Sequence, residues 1–532
     1  MSPSRRDFLQ NCAAGAAAWA ATRLVPGEIL VTRCEAAELA PGALREMAVF
    51  GLDQATKAGA GYADIRINRY RTQVLSLRSQ PDFSTGRLNH VPSVSDTESF
   101  GFGIRVLAGG AWGFAASNHV DRDAIARAAG QAVEIARTNA SLRRTPVRLA
   151  PAGSYTDVYR TPISKDPFDV PIGEKLDLLR AANEEVKKVA GVFSSVGTIS
   201  QRVEHRFLAT TGGSVIEQHV YQIAPEMTAT AVERGRKSKS RTYRPNAVTA
   251  GWEAVERAAM TEHGRRIGEE VVNHLKAPSC EAGKKDLVLL PTHLALTIHE
   301  SIGHSTELDR ALGWEANFAG TSFLTPDKLG KFRVGADIVN FNGDRIRKES
   351  LSTCGYDDDG VKTRQFPIIE KGIFVGYQTI RDQAHLVGKD ESMGCCYADS
   401  YASVPFQRMP NVWLAPSPAP VSLEELVAGV DEGVLIDGRG SYSIDQQRYN
   451  FQFGGDAFWE IKGGKVGQMI ADAAYQSRTP DFWQACDGLG GEASWENVGL
   501  NNDGKGQPSQ VNAMSHGCPP ARFRQVNVLK TE

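Results

Sequence analysis

Six residues near the middle of the chain have the types and spacing to do chemistry: His299-Glu300-Ser301-Ile302-Gly303-His304, an H-E-x-x-x-H. They follow the apolar run Asp286-Leu-Val-Leu-Leu290 and a helix-like stretch from Thr292 to Ile298. Two imidazoles around a carboxylate, on a helix fed by a strand, are the parts of a hydrolytic zinc site. Neutral imidazole suits zinc, and two histidines leave room for a third protein ligand and a water. Zinc lowers the pKa of that water to about 7, and Glu300 stands where a general base would take its proton. The spacing carries a structural demand. The commoner H-E-x-x-H sets its histidines at i and i+4, on one helix face. At i and i+5 a helix of about 3.6 residues per turn swings the second ring roughly 140° away. Both rings reach one metal only where the helix is widened or unwound. Gly303 is expected to permit this through its conformational freedom, and single-turn π-bulges cluster at functional sites.

The elements around the motif read as α+β. Ala43 to Ala58 has the period of an amphipathic helix, and 63–68 and 73–78 alternate as strands. Residues 79–98 read as loop. The pair Gly109-Gly110 makes a hairpin between 103–107 and 112–115, and helices are expected at about 121–138 and 172–189. Strands dominate from about 192 to 232, with a hairpin turn at 210–214, and a helix follows at about 251–275. Beyond the motif the chain is strand-rich, with hairpins around Lys371-Gly372 and Gly463-Gly464. The expected architecture is an N-terminal α/β-sandwich-like domain with a mixed sheet and helices. A C-terminal strand-rich sheet or barrel carries the motif helix. The divisions are a leader over 1–40, an N-terminal domain over 41–190, a middle segment over 191–282 and a C-terminal domain over 283–532.

Composition narrows the classes. A length of 532 residues is enough for two or three cores, and a formal charge of −2 favours neither a nucleic-acid nor a membrane partner. The basic run Arg234–Arg241 reads as a solvated turn. The eight cysteines form no CxxC pair, so neither a zinc ribbon nor a disulfide framework emerges. Ser4-Arg5-Arg6-Asp7-Phe8-Leu9-Gln10 reads as a twin-arginine export signal, followed by a short Ala-rich stretch, with cleavage between about Cys34 and Pro41. The expected location is periplasmic or extracellular, with no membrane span. Serine-hydrolase chemistry is disfavoured because no G-x-S-x-G occurs. Dinucleotide binding is disfavoured because Gly101-Phe-Gly103 lacks a third glycine and a following helix.

Several segments together resemble the TldD/PmbA metallopeptidase family, in its catalytic TldD-type branch. They are Gly61-Tyr-Ala-Asp-Ile-Arg66, Gly101-Phe-Gly-Ile-Arg-Val106 with Gly113-Phe-Ala-Ala-Ser117, the zinc-motif helix followed by Glu307, and Ser400-Tyr-Ala-Ser-Val-Pro-Phe-Gln-Arg-Met-Pro-Asn411. The likeness runs from about Gly42 to Val528. It implies a zinc-dependent peptidase acting on extended or unstructured peptides, with Glu300 as general base on a zinc-bound water. It also implies a dimer, either of two copies or with a PmbA-like non-catalytic subunit. Tyr401 and Arg408 are candidates for lining the cleft or, equally, for structural roles.

The chain departs from that family at the third ligand. Where the family has a Cys before a C-terminal G-K, this sequence has Asp503-Gly504-Lys505, and a thiol stands instead at Cys518 in Ser515-His-Gly-Cys-Pro-Pro520. Ligand type favours Cys518 over Asp503, with Cys486 behind both, although a lone Cys is also an ordinary core residue. His516 reads as a partner of a ligand or as surface, and Glu307 equally as a partner of a ligating His or as a solvated carboxylate on the helix face. The expected site is therefore Glu300 as base with Zn2+ on His299, His304 and Cys518, and no substrate-binding residue is assigned. The other reading is an exported, non-hydrolytic peptide-binding or assembly protein with a structural zinc.

Overall fold

The computed structural model describes residues 30–32, 42–82, 84–233 and 237–531. The twin-arginine motif and the expected cleavage region lie outside the described residues. The first half is built on long antiparallel ribbons. Tyr62–Pro81 pairs with Leu88–Ala108 along its whole length, from Tyr62↔Leu107 to Pro81↔Leu88, and on its other edge with Val192–Thr210. Val215–Glu233 comes next, and Ala111–Ser117, Thr156–Arg160 and Lys237–Tyr243 complete an eight-stranded sheet with the short strand Leu30–Thr32. The sequence segments on either side of residue 190 thus share one sheet.

Residues 88–98, expected as loop, are strand. On their inward face Val94 joins the core beside Leu75 and Leu77, but the next inward position is Asp96, buried against Arg71 and Gln73, so the apolar alternation that marks a strand is broken. The basic run also differs from expectation. Residues 237–243 form a strand, and Arg241 is buried among Glu270, Asp437 and Asp456 rather than solvated.

One face of this sheet is covered by two helix pairs. Ala43–Ala58 and Arg122–Leu142 enclose Ile65, Ile104, Ile125 and Ala129, while Ile172–Lys187 and Met260–Lys276 enclose Leu75, Ile199, Leu179 and Ile267. The opposite face meets the second half of the chain through buried ion pairs. Arg105 bridges Asp64 (2.8 Å) and Asp359 (2.6 Å), and Arg66 donates to the Ser403 carbonyl at 2.6 Å. Two segments of the family resemblance meet here. A Cβ on Gly101 would lie 2.5 Å from Tyr401 Cε2, so this sheet can seat the Tyr401 ring only against glycine.

The second half centres on a nine-stranded sheet that stays open rather than closing into a barrel. Gly283–Leu289 lies inside it, parallel to Glu432–Asp437 and antiparallel to Ala521–Lys530. Being flanked on both edges and buried explains its unbroken apolar run. The hairpin turns expected at Lys371-Gly372 and Gly463-Gly464 are present, with positive φ at both residues of each. The six described cysteines are free and buried. Among the described residues, no helix is long and apolar enough to cross a membrane.

Candidate metal centre

Pro291 opens the motif helix directly after Gly283–Leu289, at a position where its missing N–H costs nothing. The helix Pro291–Ile298 runs through the core, and His299–Gly303 then widen into a π turn in which the His304 N–H donates to the His299 carbonyl. His304–Thr306 tighten into a 3-10 turn. The extra residue in the turn removes the angular offset, and the two imidazole rings stand 4.4 Å apart, centroid to centroid. Buried carbonyls released by this irregularity need partners, and side chains supply them. Gln378 donates to the Gly303 carbonyl at 2.6 Å, and Thr306 donates to that of Ile302 at 2.8 Å.

Gly303 serves a different purpose from the one expected. Its φ of −52° is ordinary helix, so conformational freedom is not used. A Cβ there would fall 2.6 Å from Met409 Sδ, so the glycine admits Met409 against the π turn. Gly303→Ala is expected to displace His304 and weaken zinc binding about tenfold, since overpacking a core costs about 1–3 kcal/mol. Competition with a chromophoric chelator measures this. An unchanged affinity would mean that Met409 yields and the turn does not.

Hydrogen bonds set the tautomer of both histidines. The Val412 carbonyl accepts from His516 Nδ1 (2.9 Å), which leaves His516 Nε2 as an acceptor. That nitrogen lies 2.9 Å from His299 Nδ1, so His299 is protonated at Nδ1 and bare at Nε2. His304 Nδ1 donates to Glu307 Oε2 at 2.8 Å, so it too is bare at Nε2. Glu307 is fully buried and held as an anion. Burial works against its charge, but Arg310 and Lys505 hold its carboxyl well below the usual range. Lys505 Nζ, also buried, reaches Glu307 at 2.9 Å and Asp309 at 2.7 Å. Burial, then His516, keeps His299 well below its ordinary pKa, and burial with Arg310 does so for His304. Both rings are neutral and ready to ligate.

Asp503 is the candidate third donor. Its Oδ1 lies 3.4 Å from His304 Nε2 and 3.7 Å from His299 Nε2. Ligands about 2.0–2.1 Å from a tetrahedral zinc are separated by about 3.4 Å, and Asp503 Oδ1 stands near that spacing from each bare nitrogen. Asp503 sits in the hairpin Glu496–Lys505 with Gln510–Cys518, just after a register shift between Leu500 and Asp503. Arg408 fixes it, donating to Asp503 Oδ2 at 3.1 Å and to its carbonyl at 2.5 Å. Arg408 is buried and positions this aspartate rather than lining the cleft.

Cys518, favoured from ligand type, is not brought to the pair. It lies two residues beyond His516 on the same strand face, in the apolar core, with Sγ 3.7 Å from the Pro291 carbonyl. Burial pushes its thiol well above the ordinary value, which is the wrong direction for a thiolate ligand. Cys486 is likewise core. His293, the other histidine on the helix, is satisfied by the Gly438 carbonyl and Tyr475.

Glu300 has a different environment. Its ligand atom and those of His299 and His304 all lie within 4.8 Å of one another, so Glu300 is itself within reach of an ion held by the two imidazoles. Its Oε2 is 3.7 Å from Arg448 Nε. Burial raises its carboxyl to about 7, with Arg448 pulling the other way. It borders a cleft of about 330 Å³ lined by His299, His304, Tyr442, Arg448 and Asp503. A larger cavity of about 950 Å³, beside Pro291, Arg439 and Trp495, is lined by none of these residues. Sequence reasoning passed over Arg448 and Arg310, which carry no local motif, and gave Lys505 no role. The Gly504-Lys505 pair after Asp503 was the one available signal for Lys505.

A strand-fed π turn with two bare imidazoles, a carboxylate and a second, buried carboxylic acid is a candidate metal centre. Residues 63–136, 165–277 and 282–530 match domain 1, the central domain and the C-terminal domain of the PmbA/TldA metallopeptidases. The chain belongs to that family. A metalloprotease of Methanothermobacter thermautotrophicus is 27% identical over 88% of this chain and 95% of its own length. A zinc metalloprotease TldD homolog of Saccharolobus solfataricus is 25% identical over 49% of this chain and 55% of its own. The crystal structure of TldE from Thermococcus kodakarensis has the same fold, with a TM-score of 0.67 at 17% identity, covering 91% of this chain and 99% of that one.

Proposed function

We propose that this chain is a zinc-dependent peptidase that hydrolyses extended or unstructured peptides. The observation that carries the reading is the convergence of two bare imidazole nitrogens on Asp503 Oδ1, beside a buried Glu300 that faces a cleft. His299, His304 and Asp503 would hold the ion. When bound, zinc supplies Lewis-acid chemistry, drawing charge from a carbonyl oxygen and acidifying water toward a pKa of about 7. Glu300 takes the proton from the attacking water and hands it to the leaving amine. Arg448 and Tyr442 line the same cleft and would donate to the peptide carbonyl. Glu307 and His516 keep the imidazole protons on Nδ1 throughout.

The names of the relatives support the same class of reaction. The small cleft favours threaded chains over folded ones. Three protein donors beside a cleft favour an open fourth position, and so catalysis, over a closed structural zinc. The twin-arginine motif at Arg5-Arg6 supports export, and the family resemblance supports a dimer with a second copy or a PmbA-like subunit. The test is cleavage of an unfolded polypeptide by the purified protein before and after chelation. Expected is activity that chelator abolishes and stoichiometric Zn2+ restores, with a tightly folded substrate left intact. Cleavage that survives complete zinc removal would overturn the proposal.

A further inference from the structure

A second group of metal-ligating side chains lies on the N-terminal sheet, on the face that carries the helices. His205 and His219 are direct cross-strand partners on Val192–Thr210 and Val215–Glu233. Glu217, two residues before His219, shares its face. The two rings stack with centroids 4.2 Å apart and planes 17° from parallel. Both Nε2 atoms point at one atom, Glu217 Oε1, from 3.1 Å and 2.8 Å. The three donor atoms lie within 4.8 Å of one another.

From this cluster we infer that His205, Glu217 and His219 form a second metal site, for a late divalent transition ion such as Ni2+, Cu2+ or Zn2+. Two imidazoles with one carboxylate suit these ions and not Mg2+ or Ca2+. In the metal-free state the two Nε2–H groups share one carboxylate oxygen. On binding, each ring moves its proton to Nδ1 and the cation replaces two hydrogen bonds with three ligand bonds. The side chains are 30%, 31% and 21% exposed for His205, Glu217 and His219, so water can complete the coordination and the ion can exchange.

The position also favours a site. The row Arg69–His205–His219–Arg160 crosses four strands. The next row, Ile67–Phe207, already belongs to the apolar core under the first helix pair. The histidines thus stand at the margin of one helix pair. Of the two flanking cations, Arg69 is paired with Glu98 at 3.2 Å and lies over Phe100, while Arg160 is exposed on the edge strand. Burial works against the charge on Glu217, yet the hydrogen bonds of the two histidines hold its carboxyl below the usual value, as a ligand requires. The opposite face of these strands is the one that meets the second half of the chain, for example through Gln218 and the Tyr356 carbonyl. The two candidate metal sites are therefore separate.

The experiment is calorimetric titration of the full-length, zinc-loaded protein with NiCl2, alongside His219→Ala and the isosteric Glu217→Gln. Expected is about one further equivalent of Ni2+ in the parent. His219→Ala should lose that equivalent, and Glu217→Gln, which keeps shape and removes the charge, should weaken it at least about tenfold. Copper EPR on the parent protein gives a second readout that does not depend on a variant folding, with nitrogen splitting from two imidazoles. No additional equivalent in the parent, or equal binding in parent and both variants, would overturn the inference. So would a copper spectrum without imidazole nitrogen.

Discussion

Glu300→Gln should leave zinc in place and reduce peptide hydrolysis by about 10²–10⁴, the scale of general-base catalysis. The substitution keeps side-chain volume, which matters in a site this buried. It removes the only function Glu300 has in this account, that of accepting a proton. Asp503 and the two histidines retain their partners, because the hydrogen bonds that Arg408, Glu307 and His516 make to them do not run through Glu300. The loss should fall on kcat with KM little changed, since the base acts in the transition state and not in substrate binding. Steady-state kinetics together with elemental analysis separate the outcomes. Loss of zinc with activity would make Glu300 a ligand, and near-normal turnover would remove it from the mechanism.

The second large effect is expected at Asp503. Asp503→Ala removes one of three donors and leaves Arg408 with a buried, unpaired charge. Zinc affinity should fall by more than about a hundredfold, because even the partners behind a ligand are worth 10–100-fold. Cys518→Ala should retain full zinc and lose only some stability, as a small cavity in the apolar core would. The pair is informative because the two residues sit on opposite strands of the same hairpin. A general loosening of that hairpin would lower zinc in both variants, whereas loss of a ligand lowers it in one.

The contrast between these residues shows where sequence reading reaches its limit. His299, Glu300 and His304 lie within six positions, so their spacing alone demanded a widened turn, and the π turn at His299–Gly303 meets that demand. Local turn chemistry likewise located the hairpins at Gly109-Gly110 and Gly463-Gly464. Asp503 is about two hundred positions from the motif. What brings it in is an irregularity in strand register and a hydrogen bond from Arg408, and neither leaves a periodic trace. Ranking Cys518 above it by ligand softness ignored which face of the hairpin, and how far along it, each side chain would lie.

Gly303 teaches a related point. Its presence next to His304 was the right signal, but its reason is the space taken by Met409, a residue from a distant strand-loop segment. The missed strand at residues 88–98 has the opposite cause. Its inward face sets the buried, hydrogen-bonded Asp96 next to the core residue Val94, so the apolar alternation that marks a strand is broken there. Whether the second sheet closes depends on long-range pairing, and the edge strand Tyr442–Ile444 leaves it open.

The most direct test of the central claim, that zinc rests on His299, His304 and Asp503, is X-ray absorption at the zinc K-edge of the purified, zinc-loaded protein. The account expects only nitrogen and oxygen neighbours at about 2.0–2.2 Å, with imidazole scattering from two rings. A sulfur neighbour at about 2.3 Å would contradict it and return the third position to a cysteine.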